Sequence, residues 1–390
     1  MYYPALTIPL LLVGVLLAAD DVTPGMNRFT VASYRQIARQ EGNLIFSPFS
    51  ISTALSMLLD GARRETAAGI AAALQQHPDA GYHAAVASLA AGIVKQANTG
   101  GNRLDLANGL WVQNGFPIEA AFEKTMSDTY RAPATSLDFR AQTEQARQTI
   151  NAWTAEHTGN KIPELFGPRS IDPTVRLVLT SAIYFYGKWR LPFDPAKTAP
   201  EPFHAAGAET ANADFMHQKA DFQYGETPAL QILEMKYGGT PIAFDVLLPR
   251  ENDGLGALEH SLDSATLSGW FQHLQTWKVD VALPKFRAEA GFSLKNMLSQ
   301  MGMAGAFTHT ADFSGIDGKH DLYTGEVVHK AFVEVSETGT EAAAATGMAI
   351  HALAMRKTNQ AVFRADHPFL FFIRDTSSGV ILFAGRITKP

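Results

Sequence analysis

The 390-residue sequence contains no cysteine, so neither a disulfide staple nor thiolate chemistry is open to it. No Asn stands in an Asn-x-Ser/Thr sequon, which removes N-glycosylation. These two absences lean toward a bacterial or similarly unglycosylated exported protein. The Gly-x-Ser-x-Gly elbow, the Gly-x-x-x-x-Gly-Lys-Ser/Thr phosphate loop and the His-Glu-x-x-His zinc helix are missing too, so the enzyme motifs that sequence can test all fail. The 12 His include no pair at i, i+4 and have no Cys to join, so no metal and no cofactor are expected. A net charge of -6 gives no reason to expect nucleic acid, and Lys95 is the only Lys or Arg between Ala72 and Gly101. No Pro/Gly/Ser-rich linker, charge run or repeat divides the chain. With 46% hydrophobic and 18% charged residues it is expected to bury one large mixed core.

What is present begins with an apolar run from Ala5 to Ala19, ending in small residues before Asp20 and Asp21. It is short for a membrane span, which needs about 20 apolar residues, and Pro9 interrupts it. Residues 1–19 are therefore expected to be a cleaved signal peptide, although no Lys or Arg precedes the run, and residues 20–390 a single secreted domain. Such a protein would be extracellular, or periplasmic in a bacterium, with no membrane contact after cleavage.

Residues 329–346, His-Lys-Ala-Phe-Val-Glu-Val-Ser-Glu-Thr-Gly-Thr-Glu-Ala-Ala-Ala-Ala-Thr, carry the most information. Ala331, Val333 and Val335 alternate as in a half-buried strand. Beyond Gly339 every second residue, Thr340, Ala342, Ala344 and Thr346, is small and uncharged, and the only charge, Glu341, falls on the other face. Composition alone reads this tract equally well as an Ala-rich helix. Its parity reads as a strand held in reserve, because a packed sheet admits a new central strand only when the inward side chains are small.

The stretch Glu337-Thr-Gly339-Thr340-Glu341-Ala342-Ala343-Ala344-Ala345-Thr346 is similar to the hinge of the serpins, the serine protease inhibitor family. Further motifs extend that resemblance from about Phe29 to Pro390. They include Asn43-Leu-Ile-Phe-Ser-Pro-Phe-Ser-Ile51, Ala107-Asn-Gly-Leu-Trp-Val-Gln113, Ile150-Asn-Ala-Trp153 and Leu177 through Trp189, and later Ala282-Leu-Pro-Lys-Phe286, His367-Pro-Phe369 and Phe383-Ala-Gly-Arg386. Residue chemistry agrees in the first of these. Ser47 and Pro48 form an N-cap and first-turn pair, Ile51, Ala54, Leu55, Leu58 and Leu59 follow helical spacing, and Gly61 ends the helix.

The resemblance implies an α+β serpin fold with three β-sheets, about eight or nine helices and an exposed reactive-centre loop at about 337–357. It implies a shutter cluster of Ser47, Ser50, Ser181 and His329, in which Ser47 and Ser50 hydrogen-bond His329. Ser181 departs from the Asn usual there. Trp189 matches the breach, where the loop first enters the sheet, and reads equally as a large core aromatic.

As a serpin the chain would be no enzyme. It would be a suicide substrate that traps a serine endopeptidase, or a cysteine one, in a covalent 1:1 complex by inserting its cleaved loop. In members of standard spacing the cut follows the hinge Gly by 14 residues, which from Gly339 places it at Leu353, with Ala354 on the leaving side. Leu353 suits chymotrypsin-like or elastase-like targets. Arg356 and Lys357 are the alternatives and would suit a trypsin-like one. Gly347 departs from the pattern inside the inserting stretch. The region with only Lys95 argues against the basic polysaccharide site some serpins carry, and a monomer is expected. The rival function is a non-inhibitory serpin acting as chaperone, carrier or storage protein. It is disfavoured because this hinge has no bulky residue or Pro.

Overall fold

The computed structural model describes residues 21–132, 134–205, 210–340 and 359–390. The expected signal peptide, the hinge beyond Thr340, and Leu353, Ala354, Arg356 and Lys357 lie outside them. Ten α-helices occur among the described residues: α1 (Thr23–Ile37), α2 (Pro48–Gly61), α3 (Arg64–Ala73), α4 (Tyr82–Ala97), α5 (Ala120–Lys124), α6 (Thr143–His157), α7 (Leu255–Ser261), α8 (Ser264–Gln272), α9 (Lys295–Leu298) and α10 (Ser314–Asp317). The last two are single turns, too short to show a period in sequence.

Fifteen strands alternate with them: β1 (Leu44–Phe46), β2 (Arg103–Gln113), β3 (Thr135–Leu137), β4 (Leu177–Lys188), β5 (Ala199–His204), β6 (Thr210–Glu226), β7 (Leu230–Lys236), β8 (Ile242–Pro249), β9 (Gln275–Pro284), β10 (Phe286–Ser293), β11 (Thr324–Ser336), β12 (Gly339–Thr340), β13 (Gln360–Arg364), β14 (Phe369–Asp375) and β15 (Ile381–Ile387). One sheet has the order β10-β11-β12-β4-β2-β3. The other two units of the three-sheet expectation are joined through β6. Its 17 residues pair with β5 and β9, then with β7, so hydrogen bonding is continuous over nine strands.

The helix α2 explains how the layers meet. Ser47 caps it by accepting from the Ser50 amide, and Pro48 fits the first turn, where no amide partner is needed. Sequence spacing suggests one apolar stripe. In the structure every residue of α2 except Asp60 is buried, as expected of a helix that is apolar or small all round and enclosed by other elements. It runs beneath the six-stranded sheet, where Leu55, Leu58, Leu110, Ile183, Phe185 and Phe383 join one core. The opposite face of that sheet is covered by α6, with Trp111, Phe139, Ile150 and Val178 in a second core.

Candidate functional site

The site lies where β12 enters the six-stranded sheet. Parallel β4 and β11 pair directly from Thr324↔Leu177 to Phe332↔Tyr184. Above that level β12 separates them. Gly339 and Thr340 pair with Ser336 and Val335 on one side, and with Lys188 and Gly187 on the other, antiparallel to both. Among the described residues β12 is two residues long.

Local chemistry fixes this entrance. Gly339 has φ of 152°, and a Cβ there would lie 1.9 Å from the Gly187 carbonyl oxygen, so only glycine fits. A Cβ at Gly187 would in turn strike the Tyr237 ring at 2.5 Å. The Tyr237 hydroxyl hydrogen-bonds Thr340 Oγ1 beneath the sheet, and burial raises the phenol's pKa well above its usual value. Trp189 is both a buried aromatic and a fastener. Its ring stacks on Tyr237 with centroids 4.6 Å apart, its indole N–H donates to the Ser336 carbonyl at 2.9 Å, and its backbone N–H donates to the Thr338 carbonyl.

Glu337 closes the turn. Its carboxylate accepts from Lys285 Nζ and from Thr198 Oγ1, at 3.2 and 3.0 Å. Burial alone would raise its pKa, but its own backbone amide, Lys285 and Thr198 together hold it below the usual carboxylate range. Lys285 is partly exposed, so solvent screens the pair. Lys285→Ala should therefore cost about 1 kcal/mol and lower the thermal midpoint by ~2 °C. Scanning calorimetry checks this, and an unchanged midpoint would show that the pair does not hold the turn.

Below the entrance the four residues expected as a cluster do come together. Ser47 N–H donates to His329 Nε2 at 2.9 Å, so the ring proton is on Nδ1, which donates to the Ser181 carbonyl at 3.0 Å with Ser181 Oγ 3.2 Å away. Ser50 does not touch His329 directly. Its hydroxyl accepts from Ser181 Oγ at 2.8 Å and donates to Asn108 Oδ1 at 2.9 Å, while Asn108 Nδ2 donates back to the Ser50 carbonyl. Ser47 Oγ donates to the Leu382 carbonyl on β15. Every member is fully buried or nearly so and satisfied, and burial pushes the His329 pKa down to about 3 despite the Ser181 carbonyl, so the ring is neutral. The cluster ties β4, β11, β2 and α2 at a level where β4 and β11 pair directly.

Sequence reasoning missed Asn108, Tyr237, Thr198 and Lys285. Asn108 lies inside one of the serpin-like motifs, and a polar residue on the inward parity of a strand was the available signal. Lys285 likewise lies inside the quoted motif from Ala282 to Phe286, whereas Tyr237 and Thr198 carry no local sign.

Comparison with known proteins fits this geometry. The profile of the family described as "Serpin (serine protease inhibitor)" matches residues 24–390. The chain is 39% identical over 381 residues to the leukocyte elastase inhibitor of Bos taurus, covering 95% of this chain and all of that protein. It is 36% identical over 375 residues to an uncharacterized serpin-like protein of Thermococcus kodakarensis, covering 95% and 86% of the two chains. The solved structure of Serpin48, described as a highly specific serpin of the insect Tenebrio molitor, superposes with a TM-score of 0.85 at 32% identity, over 96% of this chain and 99% of that one. One expectation is corrected. Relatives of the leukocyte elastase inhibitor kind are intracellular-type serpins and point away from secretion, so the export reading is withdrawn.

Proposed function

The chain belongs to the serpin family, whose members are mostly protease inhibitors rather than enzymes, and from that premise we propose that it is a suicide-substrate inhibitor of serine endopeptidases, with cysteine endopeptidases as a second target class. In this reading residues 20–390 form one inhibitory domain with its reactive loop at about 337–357. The target's nucleophile attacks the carbonyl of Leu353, the amine of Ala354 leaves, and the protease is held as an acyl-enzyme on the cut end. Insertion of that end traps it before water completes hydrolysis. The leukocyte elastase inhibitors among the relatives support a pocket that takes small or apolar side chains.

The observation that carries the reading is β12, already seated between β4 and β11 while those strands remain paired below it. Continuing both registers one residue at a time brings Ala342 level with Phe185 and Val333, and Ala344 level with Ile183 and Ala331. These four partners are buried and apolar. Thr346 comes level with Ser181 and His329 on both sides at once. Small side chains would meet the core, and the one hydroxyl would meet the polar pair. Insertion would replace one parallel ladder by two antiparallel ones, a net gain of about one ladder, on the order of 10 kcal/mol at ~1 kcal/mol per bond. The inserted length from Thr340 to Leu353 would carry the protease ~45 Å at ~3.3 Å per residue. A displacement of even ~1 Å in an active site costs about two decades in rate.

Mixing the protein separately with chymotrypsin, pancreatic elastase and trypsin tests the proposal. A band of summed mass on a denaturing gel, with release of the 37-residue peptide Ala354–Pro390, is the expected result. Clean cleavage by all three without a covalent band would count against inhibition. A shorter peptide would move the bond to Arg356 or Lys357. Leu353→Arg should shift preference toward trypsin by on the order of 10²-fold in association rate, read from progress curves. An unchanged preference would mean that residue 353 does not enter the primary pocket.

A further inference from the structure

Two Asn residues of the chain, Asn108 and Asn114, are followed by glycine, and the fold gives them opposite surroundings. An Asn-Gly pair carries a chemistry of its own, because glycine has no Cβ to keep its amide nitrogen away from the neighbouring carboxamide. That nitrogen can attack the Asn Cγ wherever the backbone is free to bring the two together. Asn108 is held. It is almost fully buried in β2 and paired with Ser181 of β4. Its Oδ1 accepts from Ser50 Oγ at 2.9 Å, and its Nδ2 donates to the Ser50 carbonyl at 3.1 Å. Gly109 is fixed beside it, paired with Thr180 and accepting from Thr180 Oγ1 at its carbonyl. Cyclisation there would have to break the carboxamide bonds and the ladder together.

Asn114 has none of these restraints. It stands one residue past the end of β2, exposed, and its side chain makes no hydrogen bond among the described residues. Its amide donates to the Leu137 carbonyl at 2.8 Å, and its carbonyl accepts from the Gln113 side chain alone. Gly115 is exposed as well, and its amide donates to no acceptor among the described residues. A Cβ built at Gly115 would meet nothing within 4 Å, and its φ of 89° marks a turn that suits glycine. No ladder therefore holds the peptide that joins Asn114 to Gly115.

We propose that Asn114 is a site of spontaneous deamidation to aspartate and isoaspartate, from which the closed sheet protects Asn108. The Gly115 nitrogen bonds to Asn114 Cγ, the Cγ–Nδ2 bond breaks, and ammonia leaves with the proton that the Gly115 amide gives up. The cyclic imide so formed takes up one water. Opening between Cγ and nitrogen gives aspartate, with the main chain unchanged. Opening between the residue 114 carbonyl carbon and nitrogen gives isoaspartate, whose main chain runs through Cβ and Cγ and whose α-carboxylate is set free in the exposed turn. Either product replaces a neutral side chain by an anion, and isoaspartate also lengthens the chain where β2 leaves the sheet. The same chemistry at Asn108 would replace the donor to the Ser50 carbonyl by a carboxylate oxygen, so closure of β2 also guards the cluster's Asn from ageing.

The test is peptide mapping by mass spectrometry of the full-length protein aged at mildly alkaline pH, with the same protein in urea as the unfolded reference. In urea both residues should convert. In the native protein Asn114 should convert at close to its rate in urea, and Asn108 at least about a hundredfold more slowly, because a group inside a ladder reacts only through local opening. Added isoaspartyl carboxyl methyltransferase with labelled S-adenosylmethionine should place methyl label on the peptide that holds residue 114. Asn114→Ser should abolish that label in the native protein and leave label at residue 108 in the urea sample. Native conversion at Asn114 as slow as at Asn108, or label unchanged by Asn114→Ser, would overturn the site. Conversion at Asn114 without any methyl label would overturn the isoaspartate branch.

Discussion

Under the proposed mechanism, Ala344→Arg should leave the chain a substrate of the protease that it would otherwise trap. The registers of β12 with β4 and β11 bring residue 344, on insertion, level with Ile183 and Ala331, both fully buried and on the core side of the sheet. A guanidinium there would meet no carboxylate, and an unpaired buried charge costs several kcal/mol, comparable with the ~10 kcal/mol that insertion releases. Insertion would slow or stop at that residue while water completes deacylation. The covalent fraction should fall by on the order of 10²-fold, equivalent to about 3 kcal/mol in the branching ratio. The rate of loop cleavage should stay the same, because the change lies nine residues from Leu353. Gel densitometry with an active-site-titrated protease measures both. A normal yield of complex from the arginine variant would sink the insertion reading.

Acid will loosen the native sheet through His329. Its folded pKa is about 3, against about 6.5 in the unfolded chain, so the native state excludes a proton that the unfolded state accepts. This contribution is complete above pH ~6.5 and is lost as pH falls from there toward 3, at up to about 1.4 kcal/mol per pH unit. Protonation would also turn Nε2 from acceptor into donor, head-on against the Ser47 amide that now donates to it. The control is His329→Gln, which cannot titrate. Urea denaturation of both proteins between pH 7 and pH 4 should give stability curves that diverge by several kcal/mol, the native protein falling more steeply. Parallel curves would show that His329 does not set acid sensitivity.

Much of this arrangement was legible in the residues. The alternation of Ala331, Val333 and Val335 marked β11 because that strand is covered on one face by core, and Ser47-Pro48 marked the start of α2 because capping is local chemistry. The small residues beyond Gly339 suggested a strand in waiting; of that tract the structure describes Gly339 and Thr340, which pair with β11 and β4. What sequence could not supply was partnership at long range. Glu337 meets Lys285 across 52 residues and Thr340 meets Tyr237 across 103, and no local period encodes such meetings. The reach of Ser50 to His329 is likewise indirect, through Ser181, because the hydroxyl at 181 is short and sits between them. The expectation of export rested on composition at one end of the chain. Composition there identifies an apolar run, and the relatives point away from secretion.

The two residues of β12 have a kinetic meaning. Starting a strand between two others is normally a nucleation event, in which a segment must be confined before any ladder rewards it. Here the nucleus exists before any protease arrives, with Gly339 and Thr340 bonded on both edges. In the proposed mechanism cleavage would therefore release a zipper already engaged, and the rest of insertion would be propagation, one residue after another beside a neighbour already in place. Distance along the chain from Thr340 then becomes order in time. A flaw close to the nucleus would then delay every later step, whereas the same flaw near the proposed cut at Leu353 would act when the race with hydrolysis is almost over.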